Sequence, residues 1–515
     1  MSQGAIFKLV LRDERYDKFF TASDYLRQNL DAIRAKRKAA GDANVQPTFL
    51  DIEKTHVLYV HATYKPYVAI ASEYARVKAS GDGTSSLSMS GGTIEFTFPT
   101  YGHFTSDMAL HLRFRPIGSL TATAATAATP YLRYCAYPGV RLLRRVSLKS
   151  EQVLIDDYVP DDVVAYSKFF VNADQRVGWD RCMGQQELRE ATYFANGFTA
   201  SLMYRDGPQT PKLYQEGFDI YAPLQFSMCR DASHALLNDL IPNSQRVVTC
   251  ELAPISEIVQ ALLPSQTTPG ALVPAALPFT KLGIEADLYV NGLYVNPEIH
   301  DIFASRIGFS LIRVHRRQVS QLQSSTGSFL LDQLKFPAEF IMAGFRSRRL
   351  AADFDRWWMM GVPSVRTDTT KLFVPAMIWN SVNQVAQLVV RAAVDASTLQ
   401  SFVGAIGVTA HGIDIFPQLP GEFYNAYMPI RYARNSMVIS PMDSSAFLVN
   451  FCLYPGKFTP SGYYNLSAGR EMYINYTLKG SAAEISGGEF ELVLSLSALN
   501  FLMRKGDKLS LRYAL

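Results

Sequence analysis

From about residue 48 to the C-terminus the chain returns again and again to a two-residue alternation of apolar and polar side chains, which commits it to β structure. In GGTIEFTFPTYG, Ile94, Phe96 and Phe98 alternate with Thr93, Glu95 and Thr97, the pattern of a strand with one buried face. In REMYINYTLKG, Ile474, Tyr476 and Leu478 alternate with Tyr473, Asn475 and Thr477, and KLSLRYAL puts Leu509, Leu511, Tyr513 and Leu515 on one side. Other runs, HVLYVHATY (56–64), AFLVNFCLYPG (446–456) and ELVLSLSALNFL (491–502), are apolar on both faces, as a strand buried between two layers requires. Nowhere do helix and strand patterns alternate in a sustained way. The expected class is all-β with sandwich character.

Length and composition agree. A chain of 515 residues exceeds one comfortable core, so at least two domains are expected. Its 31 Phe and 27 Tyr suit pleated, half-buried surfaces, and its 26 Pro and 32 Gly supply the turns that many strands need. The segment SQTTPGALVPAALP (265–278), near the midpoint, is proline-rich and weakly charged, and reads as an interdomain linker. The resulting division is an N-terminal arm over 1–44, a first sandwich over 45–264, a linker over 265–280 and a second sandwich over 281–515. The two halves also resemble each other in plan, which suggests a duplicated fold.

One helix interrupts the pattern. Over 22–40, Tyr25, Leu26, Leu30 and Ile33 share a face, Ser23 or Asp24 can cap the start and Gly41 the end. Arg34, Lys36, Arg37 and Lys38 crowd its last turn, where cations suit the helix dipole. Residues 1–40 hold nine Lys/Arg against five Asp/Glu, which accounts for the whole net charge of +4. Charge alone favours a solvated helix end over a lipid or nucleic-acid contact, and no specific nucleic-acid binding is expected.

No constellation of catalytic residues emerges. His56 and His61 are five apart in a strand-like run, so they point to opposite faces and cannot share a metal. His300, His315 and His411 lie near acids, which more often marks a hydrogen bond than a dyad. Asp156, Asp157, Asp161 and Asp162 lack calcium-loop spacing, and with Pro160 among them they read as a turn between strands. Arg346, Arg348 and Arg349 near Trp357 and Trp358 fit either a site that stacks a base or binds phosphate, or a loop that packs against a neighbouring subunit. Nucleophile elbows and phosphate-cradling loops are missing, and no cofactor or metal is expected. Five scattered cysteines read as reduced thiols, and the first residues lack a secretory pattern, so the protein is expected to be made and kept in the cytoplasm.

Several segments resemble the major capsid proteins of nucleocytoplasmic large DNA viruses, in particular the asfarvirus-like members such as that of African swine fever virus. They include PTFLDIEKTHVLYVHATYKPYVAIASEY (47–74), DGPQTPKLYQ (206–215), LYVNGLYVNPEIHDIF (288–303), FSLIRVHRRQV (309–319), LKFPAEFIMAGFR (334–346), PSGYYNLSAGREMYI (460–474) and SALNFLMRKGDKLSLRYAL (497–515). They follow the family's order almost end to end, and PSGYYNLS with the closing SALNFL…LRY is the most specific part. Pro208, Pro211, Pro460, Ser461, Gly462 and Asn465 carry this signature as structural positions.

The resemblance implies a double jelly roll, two tandem eight-stranded antiparallel sandwiches with a short helical N-terminal arm. It implies homotrimeric, pseudo-hexagonal capsomers that tile an icosahedral shell, with other capsomers, minor capsid proteins and an inner viral membrane as partners. The arm would face inward, which raises the odds that Arg34, Lys36, Arg37 and Lys38 meet an anionic surface. A minor capsid or scaffold protein with the same double fold is the alternative reading, and a β-sandwich carbohydrate-active enzyme a more distant one. The loops near 108–130 and 180–205 are shorter than in the family member compared.

Overall fold

The computed structural model describes residues 23–41, 45, 70–80, 87–89, 91–150, 153–185, 187–195, 198–241, 246–265, 272–295, 300, 304, 309–361, 371–380, 385–395, 403–433, 445–457, 459–467, 471–479, 490–505 and 508–513. The chain divides into two compact units, Met1–Ile70 and Ala71–Leu515. Among its described residues the first holds helix α1 (Ser23–Ala39), with Lys36, Arg37 and Lys38 in its last turn. It ends as expected: Ala40 N–H donates to Lys36 O, and Gly41 takes the left-handed conformation at φ 71°.

Among the described residues, sixteen strands form the main paths of four sheets in the second unit. The first eight are β1 (Ile70–Lys78), β2 (Thr93–Phe98), β3 (Phe104–Phe114), β4 (Leu143–Ser150), β5 (Val153–Tyr158), β6 (Phe218–Pro223), β7 (Arg246–Leu252) and β8 (Gly283–Val295). The second eight are β9 (Phe309–Gln321), β10 (Thr326–Leu330), β11 (Pro337–Ser347), β12 (Val403–Ala410), β13 (Ile413–Pro420), β14 (Ala446–Asn450), β15 (Met472–Leu478) and β16 (Phe490–Lys505). The first set forms sheets ordered β1-β8-β3-β6 and β2-β7-β4-β5, and the second forms β9-β16-β11-β14 and β10-β15-β12-β13. Adding eight to every strand number converts one half into the other. The duplication suggested by the sequence is thus repeated in topology, and each half is an antiparallel jelly roll.

The alternations fall where the side-chain period places them. Ile94, Phe96 and Phe98 on β2 are buried and their polar neighbours exposed, while β15 buries Met472, Ile474, Tyr476 and Leu478. On β16, Leu492, Leu494, Leu496, Ala498 and Leu502 are fully buried, each buried leucine being worth roughly 1.5–3 kcal/mol. β14 buries all five of its residues. The run 56–64 lies outside the described residues.

The proline-rich segment does not separate the sandwiches. β8 begins after it yet pairs with β3 through Ile284–Phe114 and Leu288–Leu110, so it completes the first jelly roll, and Leu272–Ala275 pairs back onto Val259–Pro264. The connection to the second jelly roll therefore spans 296–308, not 265–280. Composition makes a loop visible, but it does not distinguish a loop between domains from one between strands of a single sandwich.

Between β5 and β6 lie helices α2 (Pro160–Phe170) and α3 (Ala173–Cys182) and a hairpin of Glu187–Ala195 with Phe198–Asp206. Between β11 and β12 lies a second hairpin, Lys371–Asn380 with Val385–Asp395. The two outgrowths leave from different loops, which is where the halves differ most.

Candidate functional site

The densest buried chemistry lies where the jelly rolls meet. Asp156, on edge strand β5 of the first, faces His315, on edge strand β9 of the second. Asp156 accepts from His315 N–H at 2.9 Å, and its second oxygen lies 2.9 Å from His315 Nδ1. Arg230 Nη2 lies 3.0 Å from His315 Nε2. A guanidinium can only donate, so Nε2 accepts and the ring proton sits on Nδ1, toward Asp156.

A second cluster adjoins it. Arg313 and Glu339, 1% and 0% exposed at their side chains, form a two-pronged pair at 2.6 and 3.0 Å. The same guanidinium reaches His234 Nε2 of the first jelly roll at 2.7 Å and the Lys457 carbonyl, and Arg313 N–H donates to Ser227 Oγ at 3.1 Å. Such a pair is costly to desolvate, and it is tolerated because nearly every remaining donor has a partner.

A third set hangs from the start of α2. Asp161 takes both prongs of Arg346 at 2.6 and 3.0 Å, and Arg346 also donates to Glu491 at 2.6 Å. Asp162, fully buried, accepts from Val159 N–H at 3.0 Å and from Ser495 Oγ at 2.6 Å. Burial raises its carboxyl above the ordinary range, against the pull of these hydrogen bonds and of Arg317. The four acids are therefore not a turn between strands. Asp156 and Asp157 lie on β5, Pro160 opens α2, and Asp161 and Asp162 lie in its first turn, all four reaching residues of the second jelly roll. Pro160 suits that place because the first helical position needs no N–H.

Aromatics extend the seam. Trp357 Nε1 donates to Ala136 O at 2.7 Å, Arg133 pairs with Asp355 at 3.0 Å, and Arg141 lies 5.3 Å from the Phe354 ring centroid and 5.5 Å from that of Trp357. Lys168 lies over Trp358 at 4.7 Å. Of the two readings of this Arg/Trp region, packing prevails for Arg346, Trp357 and Trp358, though within the chain.

The signature residues occupy turns rather than a common site. Pro208 O accepts from Tyr134 N–H at 2.8 Å, and Pro208 and Pro211 flank Gln209, whose buried amide donates to Cys135 O at 3.1 Å and Gly184 O at 2.9 Å. Ser461 Oγ accepts from Tyr454 N–H at 2.7 Å, and Gly462 has φ 129°, so the turn that begins at Pro460 calls for glycine there. Asn465 pairs with Pro337 and caps its own turn by accepting from Ser467 N–H at 3.1 Å. On α1, Arg34 pairs with Asp31 at 2.8 Å, and Lys36 and Lys38 are exposed.

Among the described residues no group of three or more His, Cys, Asp or Glu could hold a metal, and no helix is long and apolar enough to cross a membrane. The buried ionic groups connect one sandwich to the other, which is the arrangement of a rigid building block. Two tandem sandwiches of one strand order make the second unit a double jelly roll.

No family model matches the sequence. Over its full length the chain is 25% identical to a major capsid protein of African swine fever virus (isolate Pig/Kenya/KEN-50/1950) and 26% identical to a hexon protein p72 of another isolate (Tick/Malawi/Lil 20-1/1983), covering the whole of each. The first alignment runs over 657 positions, more than the chain's 515 residues, so that relative carries insertions. Among solved structures, the Faustovirus major capsid protein superposes with a TM-score of 0.70 at 26% identity, covering 95% of this chain and 99% of that one. A chain of the PBCV-1 virus capsid shares the fold at a TM-score of 0.57 and 16% identity, covering 88% and 98%. The chain has the role of a major capsid protein of a large DNA virus, a component of the virion capsid and not an enzyme.

Proposed function

We propose that three copies associate into a pseudo-hexagonal capsomer and that such capsomers tile an icosahedral shell. The observation that carries this reading is the repeated strand order. One chain presents two sandwiches of the same topology, so a three-fold ring of chains presents six similar blocks. The seam supports it as well, since Asp156–His315, Asp161–Arg346 and Arg313–His234 fix the angle between blocks inside each chain.

In the same reading, residues 1–44 form an arm on the inner face, and Arg34, Lys36, Arg37 and Lys38 meet an anionic partner there, either the inner membrane or a minor capsid protein. Synthesis and assembly take place in the host cytoplasm, and 71–295 and 309–515 each constitute a domain. Light scattering on the purified chain tests the capsomer. A species near 172 kDa, three times the 57.4 kDa chain, with hexagonal outlines by electron microscopy is expected. A monomer that persists at high concentration overturns it. Charge-neutralising the four α1 residues is expected to leave the trimer intact while weakening attachment to the inner layer.

A further inference from the structure

Beside the seam, β5 and β9 leave an open cleft of about 560 Å³, lined by Arg145, Leu154, Asp157, Arg316, Arg317 and Val319 among others. Its size lies within the range of ligand sites. Three arginines and one carboxylate, Asp157, line it; Asp157 is shared between Arg145 at 3.0 Å and Arg317 at 3.5 Å, and Arg317 also lies 3.9 Å from the buried Asp162. Arg316 is only 9% exposed, and its Nε and Nη2 have no hydrogen-bond partner. Buried donors left unsatisfied are uncommon; the rest of this guanidinium is engaged, with Nη1 donating to His315 O and Cζ 4.3 Å from the Phe336 ring centroid. Burial pushes the Arg316 value down, and Asp156 and Asp157 offset it only in part.

The backbone supplies a second feature. Arg313 N–H and His315 N–H point away from β16, to Ser227 and Asp156 of the first jelly roll. Antiparallel pairing alternates, and β9 pairs with β16 without a register shift, so the amides of Arg317 and Val319 lie on the same outer edge, beside the cleft. Arg317 is 37% exposed at its side chain and Val319 47% exposed, so this stretch of edge is open.

We propose that this cleft binds an extended acidic peptide segment, whose carboxylates meet Arg145, Arg316 and Arg317 while its backbone adds to the β9 edge. Strand addition of this kind takes affinity from main-chain hydrogen bonds and selectivity from side-chain pockets. Free phosphate satisfies the charge but not the edge, which separates the two sources of anion.

The test is fluorescence anisotropy on the full-length chain with a labelled peptide of alternating Glu and Val. Binding is expected, with at least about a tenfold loss for the R145A/R317A double variant, for a peptide of alternating Lys and Val, and for a peptide N-methylated along one edge. Should the double variant not fold, Arg317→Gln, at an exposed side chain, is expected to weaken binding in the same sense. No binding, equal binding by the double variant, or full competition by inorganic phosphate with no effect of N-methylation overturns the proposal.

Discussion

Asp156 accepts two hydrogen bonds from one residue, His315, and in doing so couples an edge strand of the first jelly roll to an edge strand of the second. Removing the carboxylate strands a buried amide and a buried ring N–H together. Asp156→Ala is expected to cost about 1–3 kcal/mol, and to do so by loosening the seam rather than either sandwich. Chemical denaturation followed by fluorescence measures this. A transition that broadens or splits in two marks the uncoupling, and a single unshifted transition counts against it.

Arg313 and Glu339 make a sharper case, since both are buried and neither reaches bulk water. Arg313→Ala or Glu339→Ala alone leaves an uncompensated buried charge and is expected to cost about 3–5 kcal/mol. Replacing both, as Arg313→Met with Glu339→Leu, is expected to cost less than either single change, the residual loss coming from His234 and Lys457 O. A double-variant cost equal to the sum of the two single costs, read by denaturant unfolding, would show that the two groups act independently.

Four of the five thiols resist ionisation. Burial pushes Cys135, Cys229, Cys250 and Cys452 up to about 12, so at pH 8 scarcely any thiolate is present at these sites. A thiol-disulfide reagent added to the native chain at pH 8 is expected to leave these four unmodified, and Cys182 to be the first to react. In denaturant all five react. Rapid native modification of Cys135 or Cys250, read by peptide mass mapping, contradicts the burial.

Asp162 gives a pH dependence of opposite sense to that of a salt-bridged acid. Its folded-state value is raised from 3.8, chiefly by burial, so over the window above 3.8 the folded chain keeps a proton that the unfolded chain has lost. Its contribution is most favourable to folding at and below that value, declines as pH rises through the window, and stays lower at neutral pH. Asp162→Asn, which can still accept from Val159 N–H and donate to Ser495, is expected to flatten the stability curve across mildly acidic pH. Denaturant midpoints measured from pH 4 to 7 on both forms decide it.

Much of the fold was legible because a jelly-roll strand with one wet face advertises itself. Ile94, Phe96 and Phe98 alternate with polar residues, and both periodicity and burial agree on them. The boundary was not legible, because 265–278 has a linker's composition while serving as a loop within one sandwich. The seam was harder still. On β9, Arg313 and His315 alternate with Ile312 and Val314, so the polar set reads as a solvent face, whereas 1% and 3% exposure put it against the other jelly roll. Alternation reports that two faces differ, not what covers each. Nor does spacing in the sequence pair Asp156 with a histidine 159 residues away. The turn residues Pro208 and Pro211 were visible as a motif, but the buried Gln209 between them, which ties three segments together, was not.

The late position of β8 has a consequence for biosynthesis. This strand sits between β1 and β3, so the first sheet keeps an unfilled slot until residue 295 has cleared the ribosome. β16 fills the equivalent slot between β9 and β11 only after residue 505 has emerged. Until each slot is filled, two inner strands expose unpaired backbone, an invitation to mispair with a neighbouring nascent chain. On a polysome crowded with copies of a protein needed in bulk, the speed at which those two strands arrive governs how much of the product survives to build a shell.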